Sequence, residues 1–360
     1  MRFPGWLAAM SAAAFTACCG PPAPPEAVSG QQPAAAMGAA GAAQTVEACP
    51  AAAGAICGAA QLAGAVDSLR AAYASAEFAA LPGEARSIVN ENQRNWLAAQ
   101  AIACGLAPGA ARLDDVQVAC AREALEARAK AAAQATQQAG PFRFLRVESA
   151  SAEAASPDVL ADLNLPPTAP STTLHQIAYP QIVGDASPAA AQFNAAAKRA
   201  PRFKPGDATE EQTRYEIAYA GRDLISVQFF TYDMTLGAAH PNTAAEALNF
   251  NLKTGAKLTA QQAFRPGSGW DRYIAERTAK AITADFRRNG VSDAAIRPAD
   301  TLKVASNPGN WIITPKALTV IFPPYSINDS PQAGPDVAIP WNDLRRFLAP
   351  DAPAPIGAAG

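Results

Sequence analysis

The chain has 360 residues, enough for two domains, and its formal net charge of −2 excludes a nucleic-acid-binding protein that acts through a strongly basic face. After the first seventeen residues, no stretch approaches the ~20 uninterrupted apolar residues that a membrane-spanning helix needs. We therefore expect a protein that folds outside the bilayer, with no nucleic-acid partner and no cofactor.

The first seventeen residues have the pattern of a bacterial signal peptide. Arg2 supplies a positive charge, Leu7–Phe15 forms a short apolar stretch, and Ala17 precedes Cys18 as a small residue does at a lipoprotein cleavage site. Cleavage there would leave Cys18 as a lipidated first residue, and the alternative is ordinary cleavage with soluble release. We expect an exported, periplasm-facing protein that a lipid at Cys18 holds in the cell envelope, at the outer membrane.

Two segments of different composition follow the signal peptide. Residues 18–45 are mostly Pro, Ala, Gly, Gln and Ser, which cannot offset the entropy of ordering, so they predict a flexible tether. Residues 46–135 predict helices, because apolar side chains recur at helical spacing in Leu62, Val66, Leu69 and Tyr73. Turns near residues 82 and 108 divide this segment into a small all-α helical bundle.

Four cysteines lie in this helical segment, and none follows Cys120. The four are Cys49, Cys57, Cys104 and Cys120. An even number confined to one segment of an exported chain indicates disulfides, which would staple an alanine-rich core. Zinc is the alternative, but the spacing is wide and neither histidine lies nearby. Of three possible pairings we favour Cys49 with Cys57 and Cys104 with Cys120, because each closes a short loop around helix ends.

From residue 136 the pattern changes to the period-two alternation of strands. We predict a linker with a first strand over 136–169, an α+β domain with a mainly antiparallel sheet over 170–348, and a loose tail over 349–360. The predicted strands are Phe142–Val147, Arg214–Tyr219, Leu224–Tyr232, Ala247–Leu252 and Leu318–Phe322. Gly255 predicts a hairpin turn, and Trp270–Arg288 is the clearest helix.

His240 is the most conspicuous candidate for catalysis, since it lies in a glycine-bearing loop. The only other histidine, His175, is far away in the sequence, and no carboxylate cluster with metal-ligand spacing lies near either. A histidine that fixes its loop by hydrogen-bonding to backbone explains His240 better. No nucleophile elbow, phosphate-binding loop or dinucleotide fingerprint occurs. We predict no catalytic residue, no metal site and no enzyme activity.

Two loops are candidate sites for a protein partner. The first spans residues 232–242. The second spans residues 323–334, where prolines fix φ and reduce the entropy lost on ordering, so that the loop is stiff. Stiff loops that carry an aromatic suit protein recognition, and the alternative is that the prolines only end strands at a sheet edge. The candidate contact residues are Tyr232, His240, Asn242, Pro324 and Tyr325.

Two resemblances to known families rest on these motifs. Residues 46–135 resemble the LprI-type lysozyme inhibitor domain of bacterial lipoproteins. The matching residues are the four cysteines, Leu62–Asp67, Leu69, Tyr73, Gln93, Trp96, Leu97 and Arg128. Residues 170–348 resemble the extracytoplasmic domain of RsiV-type anti-sigma factors, which also occurs beside polysaccharide deacetylase domains. The matching blocks are Gly237–Asn242, Asn249–Gly255 with Leu258 and Phe264, and Phe322–Pro340.

Both resemblances imply a protein that contacts lysozyme. The predicted function is that of a lipid-anchored envelope protein that binds c-type lysozyme and inhibits it by inserting a rigid loop into the lysozyme cleft. Two alternatives from other classes stay open. One is an enzyme that modifies envelope glycans, suggested by the deacetylases that accompany the second family. The other is a structural or assembly adaptor that makes no contact with lysozyme.

Overall fold

The computed structural model describes residues 45–50, 54–107, 110, 112–163, 171–199, 208–290, 295–327 and 334–359. The predicted signal peptide, the lipidation site Cys18 and the predicted tether up to residue 44 lie outside the described residues. Within the described ranges, no helix is both long enough and apolar enough to cross a membrane.

Five helices precede the sheet in the described part of the chain. They are α1 (Gly54–Gly58), α2 (Ala63–Tyr73), α3 (Ala76–Ala79), α4 (Gly83–Ala103) and α5 (Asp115–Ala132). Side chains at the start of α5 explain why this helix begins at Asp115. The Asp114 carboxylate accepts a hydrogen bond from the Gln117 N–H at 2.8 Å, and the Gln117 side chain accepts one from the Asp114 N–H at 3.1 Å. This capping box satisfies N–H groups that the first turn leaves unpaired.

Two disulfides tie the helices together. Cys49 is bonded to Cys57, and Cys104 at the end of α4 is bonded to Cys120 on α5. This is the pairing that the loop lengths favoured. The second bridge holds the two longest helices of the segment against each other across the short connection between them.

Removing the Cys104–Cys120 bridge should lower the free energy of unfolding by about 3 kcal/mol, because the bridge limits the unfolded chain over a separation of 16 residues. The double variant Cys104→Ala/Cys120→Ala, compared with the parent by urea denaturation, measures this loss. Cys49→Ala/Cys57→Ala is the matched control. Its separation of 8 residues closes a shorter loop, so its loss should be smaller, about 2.5 kcal/mol. A larger loss in the control would contradict the expectation.

The largest sheet has seven strands in chain order. They are β1 (Thr136–Ala139), β2 (Phe142–Ala154), β3 (Thr172–Val183), β4 (Thr209–Ala220), β5 (Leu224–Thr235), β6 (Asn242–Asn251) and β7 (Ala256–Lys257). Neighbours are antiparallel except for β3 and β4, which are parallel. The mainly antiparallel α+β architecture is confirmed. The hairpin predicted at Gly255 joins β6 to β7, and its φ of 66° is one that glycine adopts without strain.

The remaining elements surround a second core. These elements are α8 (Ala260–Ala263), α9 (Trp270–Arg288), α10 (Pro298–Ala305), β8 (Trp311–Ile313), β9 (Ala317–Val320), β10 (Val337–Pro340) and α11 (Trp341–Leu344). Two further helices, α6 (Pro157–Asp162) and α7 (Pro188–Lys198), lie between strands of the large sheet in the chain order. The strands β8–β10 form a small antiparallel sheet. Trp311 on β8 is fully buried and packs against Phe264 and Trp270. The small sheet joins the large one where Asn249 donates to the Trp311 carbonyl at 2.7 Å.

The helices and the large sheet share one hydrophobic core. A continuous cluster of buried side chains runs from Ile56 and Leu69 in the helices through Phe144 on β2 to Phe193 on α7 and Phe250 on β6. The predicted helical segment is therefore helical, but its core continues into the sheet instead of closing on itself. The predicted boundary at residue 135 falls inside this core, and the predicted linker over 136–169 supplies two of the seven strands.

The tail differs from the prediction. Ile356 is fully buried in the second core, and the Ala349 N–H donates to the Ala263 carbonyl at 3.0 Å. The prediction of a loose segment from residue 349 is therefore wrong. The Pro-rich and Ala-rich composition hid one buried isoleucine that anchors the segment.

Candidate functional site

A cleft of about 270 Å³ opens between helices α4 and α5 and the strands β2, β3 and β4. Its lining combines arginines, glutamines, one carboxylate and one indole with several alanines. The residues used below are Trp96, Gln100, Ala124, Arg128, Arg146, Glu148, Gln176, Gln212 and Arg214. In this cleft, charged side chains converge from both α5 and the sheet.

The strands β3 and β4, which line the cleft, pair along only a short length. Both strands have twelve residues, yet their parallel register covers only residues 175–177 of β3 and 211–213 of β4. The lining from these strands is residues 176–178 of β3 and 212–214 of β4, so it covers the end of the paired region and one residue beyond it on each strand. Alanines of α5 cover this part of the sheet.

Two arginines share one carboxylate in the wall of the cleft. Glu148 accepts from Arg146 Nε at 2.6 Å and forms an ion pair with Arg128. The Arg128 side chain is only 8% exposed and Glu148 only 19%. Arg128 also lies over the Trp96 ring, at 5.2 Å from its centroid, and Arg146 lies over the Tyr215 ring at 5.6 Å. Two positive charges therefore face one negative charge in a partly desolvated place.

Burial shifts the pKa values of this group. Burial has the largest effect on the Arg146 guanidinium and lowers its pKa. The nearby Tyr215 hydroxyl acts to raise this pKa, and the positive charge of Arg128 acts to lower it. Burial also raises the pKa of the Tyr215 hydroxyl to about 12, against the opposing effect of Arg146. Tyr215 therefore stays neutral at physiological pH, and arginine stays protonated in proteins, so the cleft keeps its positive charge.

Gln93 connects the cleft to the helical segment. Its side-chain oxygen accepts from the Tyr73 hydroxyl at 2.7 Å and from Arg128 Nε at 3.0 Å, and its nitrogen donates to the Ala48 carbonyl at 2.7 Å. Gln93, Trp96 and Arg128 are among the residues on which the LprI-type resemblance rests. All three are buried, so in this chain they hold the helices together and orient Arg128.

The first candidate loop is the tip of the β5–β6 hairpin. His240 is exposed there, and its Nδ1 lies 3.1 Å from the Pro241 carbonyl oxygen. At the base of the hairpin, Asn242 donates to the buried Asp233 carboxylate at 2.8 Å. Burial raises the pKa of the Tyr232 hydroxyl, and the carboxylates of Glu210 and Asp233 raise it further. The Asn242–Asp233 hydrogen bond therefore fixes the loop where it meets the strands, while the residues at its tip are exposed.

The second candidate loop presents Tyr325, which is 57% exposed. Hydrogen bonds fix the loop on both sides of this residue: the Ser326 hydroxyl donates to the Pro323 carbonyl at 2.5 Å, and the Gly334 N–H donates to the Phe322 carbonyl at 3.0 Å. Ile327 is buried in the second core and anchors the chain two residues after the tyrosine. The described part of this loop therefore holds an exposed aromatic in a fixed place.

Tyr325 also has a φ of 59°, in the left-handed region that side chains disfavour. Tyr325→Gly should leave the free energy of unfolding unchanged or raise it by up to about 1 kcal/mol, because relief of this strain offsets the greater entropy of glycine in the unfolded chain. Ile102→Gly, at an exposed apolar position on α4, is the control and should lower it by about 1 kcal/mol. Equal losses in the two variants, measured by urea denaturation, would show that Tyr325 is unstrained.

The two candidate loops approach the same strand. Ile321, next to the start of the proline loop, is buried in a small cluster with Ala247 on β6 and Ile312 on β8, and Ala245 on β6 packs against this cluster. Because β6 begins at Asn242, the hairpin loop leads directly into this strand, whereas the proline loop contacts it through Ile321. Both candidate loops are therefore next to segments that meet at β6.

The two histidines lie on different elements. His175 on β3 has its Nε2 at 3.5 Å from a Glu153 carboxylate oxygen, whereas His240 lies at the hairpin tip. Among the described residues, no group of three or more His, Cys, Asp or Glu side chains is arranged to hold a metal ion.

The sequence predictions missed the cleft. One signal was present: Arg146 and Glu148 are two residues apart in a predicted strand, which places both charges on one face. Arg128 was noted only as a family motif residue. Its meeting with Glu148 depends on how α5 packs on the sheet.

Comparison with known proteins gives distant structural neighbours. No protein-family model matches the chain, and no curated protein matches it. The crystal structure of a DUF3298 family protein from Pseudomonas aeruginosa PAO1 is similar at 17% identity with a TM-score of 0.40, covering 59% of this chain and 96% of that one. A DUF3298 member from Bacteroides fragilis NCTC 9343 is similar at 11% identity with a TM-score of 0.38, with the same coverage.

Proposed function

We propose that this chain is a lipid-anchored protein of the cell envelope that binds c-type lysozyme and inhibits it. The observation that carries this proposal is Tyr325, an exposed aromatic on a loop whose ends are fixed by hydrogen bonds and by the buried Ile327. Tyrosine is enriched at the centres of protein interfaces, because it buries a large area while it loses little conformational freedom. A fixed loop avoids much of the entropy cost of binding.

Lysozyme is the proposed partner because both sequence resemblances imply it. The LprI-type resemblance and the RsiV-type resemblance cover different segments, and both families contact lysozyme. The two disulfides support the export that the N-terminal pattern predicts, since disulfides persist in oxidising compartments. In this proposal Cys18 carries the lipid, and the loops at residues 232–242 and 323–334 contact the enzyme.

Calorimetric titration with lysozyme activity recorded in parallel tests the function. The chain from Gly20 onward, without lipid, is used whole because its helices and sheet share one core. We expect saturable binding with an equilibrium dissociation constant of about 1 µM or tighter, together with loss of activity. Binding without loss of activity would reject inhibition but keep the partner. Absence of binding at tens of micromolar would reject lysozyme.

A further inference from the structure

We propose that the cleft between α5 and the strands β2–β4 binds a small peptide through its terminal carboxylate. The lining carries three arginines, Arg128, Arg146 and Arg214, against one carboxylate, Glu148. The charged lining therefore has a net charge of +2, which one or two carboxylate groups from a ligand would offset. Gln212 in the lining pairs across the sheet with Tyr232, so the site borders the first candidate loop, and no residue of the second candidate loop is in its lining.

The arginines are placed to receive such a group. Among the described residues, Arg146 hydrogen-bonds to Glu148 through Nε, which leaves its terminal N–H donors for another acceptor. Arg214 lies over the Phe230 ring at 5.3 Å and is exposed at the mouth of the cleft. Guanidinium groups present paired N–H donors whose geometry matches a carboxylate, so each of these two side chains can receive a carboxylate group of the ligand.

The strands and the glutamines favour a peptide over a simple anion. The paired register of β3 and β4 ends inside the cleft, at Ile177 and Thr213, and an extended peptide can pair with a strand edge beyond that point. Gln100, Gln176 and Gln212 add amides that both donate and accept hydrogen bonds. Peptide bonds in a ligand present the same two functions.

The size of the cleft sets the size of the ligand. Its volume of about 270 Å³ lies just below the usual range for ligand cavities, roughly 300–1,000 Å³. Ala124, Ala127 and Ala131 of α5 line one wall, which leaves room for small side chains beside the Trp96 ring. The combination fits a short peptide of small residues that ends in a free carboxylate.

The test uses N-acetyl-alanyl-alanine as the probe and N-acetyl-alanyl-alaninamide, which lacks the carboxylate, as its matched control. We expect saturable binding of the acid and at least tenfold weaker binding of the amide, since hydrogen bonds to a charged group are among the stronger ones. Acetate alone should bind at least tenfold more weakly than the acid. Equal binding of acid and amide, equal binding of acetate, or no binding of the acid at about 10 mM would overturn the proposal.

Two variants test the location of the site without removing a buried side chain from the core. Arg214→Gln removes an exposed charge at the mouth and should weaken binding of the acid about tenfold. Ala124→Leu fills the cleft from α5 with a good helix former and should abolish binding. Circular dichroism confirms that each variant is folded. Unchanged binding in the folded Ala124→Leu variant would place the ligand elsewhere and contradict the assignment.

Discussion

Replacing Glu148 with glutamine should lower the free energy of unfolding by about 3–5 kcal/mol, the usual cost of breaking a buried ion pair by removing one partner. Glu148 is the carboxylate that Arg128 and Arg146 share, and Arg128 is 8% exposed. The variant leaves two arginines side by side with no counter-charge, in a place where water screens them poorly. Urea denaturation of the variant and the parent measures the difference.

Glu153→Gln is the matched control for this prediction. Glu153 lies on the same strand and its side chain is 72% exposed, so the same substitution should change the free energy of unfolding by less than about 0.5 kcal/mol. If the two variants lost similar amounts, the shared carboxylate would not be holding the arginines in the way that the structure indicates.

Phe193→Ala should cost about 3–5 kcal/mol, because it removes a fully buried ring from the core that the helices and the sheet share. Phe193 on α7 packs edge-to-face against Phe144 on β2 and against Phe250 on β6, at centroid distances of 6.0 and 5.7 Å. Its removal would open a cavity between α7 and the sheet, and the paired backbones of β2 and β6 limit how far the surroundings can collapse into it.

Gln192→Ala is the control for Phe193→Ala, since it shortens an exposed side chain on the same helix. We expect a change of less than about 0.5 kcal/mol in the same urea experiment. A loss below about 1 kcal/mol in Phe193→Ala would mean that the aromatic cluster does not join α7 to the sheet.

Elements with a clear period were predictable from the sequence. The helix predicted over Trp270–Arg288 has those bounds in the structure, because its apolar side faces the second core while charged residues fill the rest. The strand predicted over Leu224–Tyr232 is β5, which continues to Thr235. Local patterns sufficed in these places because each element buries one continuous face.

The strands β3 and β1 had no such pattern. Thr172–Val183 contains three consecutive buried residues at 178–180 and a proline at 180, so the alternation that marks a half-buried strand is lost. Thr136–Ala139 is polar, and its two glutamines are exposed at the edge of the sheet. Both segments form strands because they pair with β2, and such pairing leaves no periodic pattern in the local sequence.

The candidate sites divide in the same way. Tyr325 was singled out as a candidate contact residue because prolines and an aromatic are adjacent in the sequence, and the structure places it on the surface. The cleft was not predictable, because Arg128, Glu148 and Arg214 come from a helix and two strands that meet only in the folded chain. The packing of α5 over β2, β3 and β4 creates that site.

The most direct test of the central claim is the affinity for c-type lysozyme of Tyr325→Ala compared with Ile102→Ala, measured by calorimetry on the whole chain from Gly20 onward. Both substitutions remove an exposed apolar side chain, but only Tyr325 lies on a proposed contact loop. We predict that Tyr325→Ala weakens binding by about 30-fold, the effect of losing an interface residue worth about 2 kcal/mol, while Ile102→Ala binds as the parent does. Parent-like binding by Tyr325→Ala would contradict the claim.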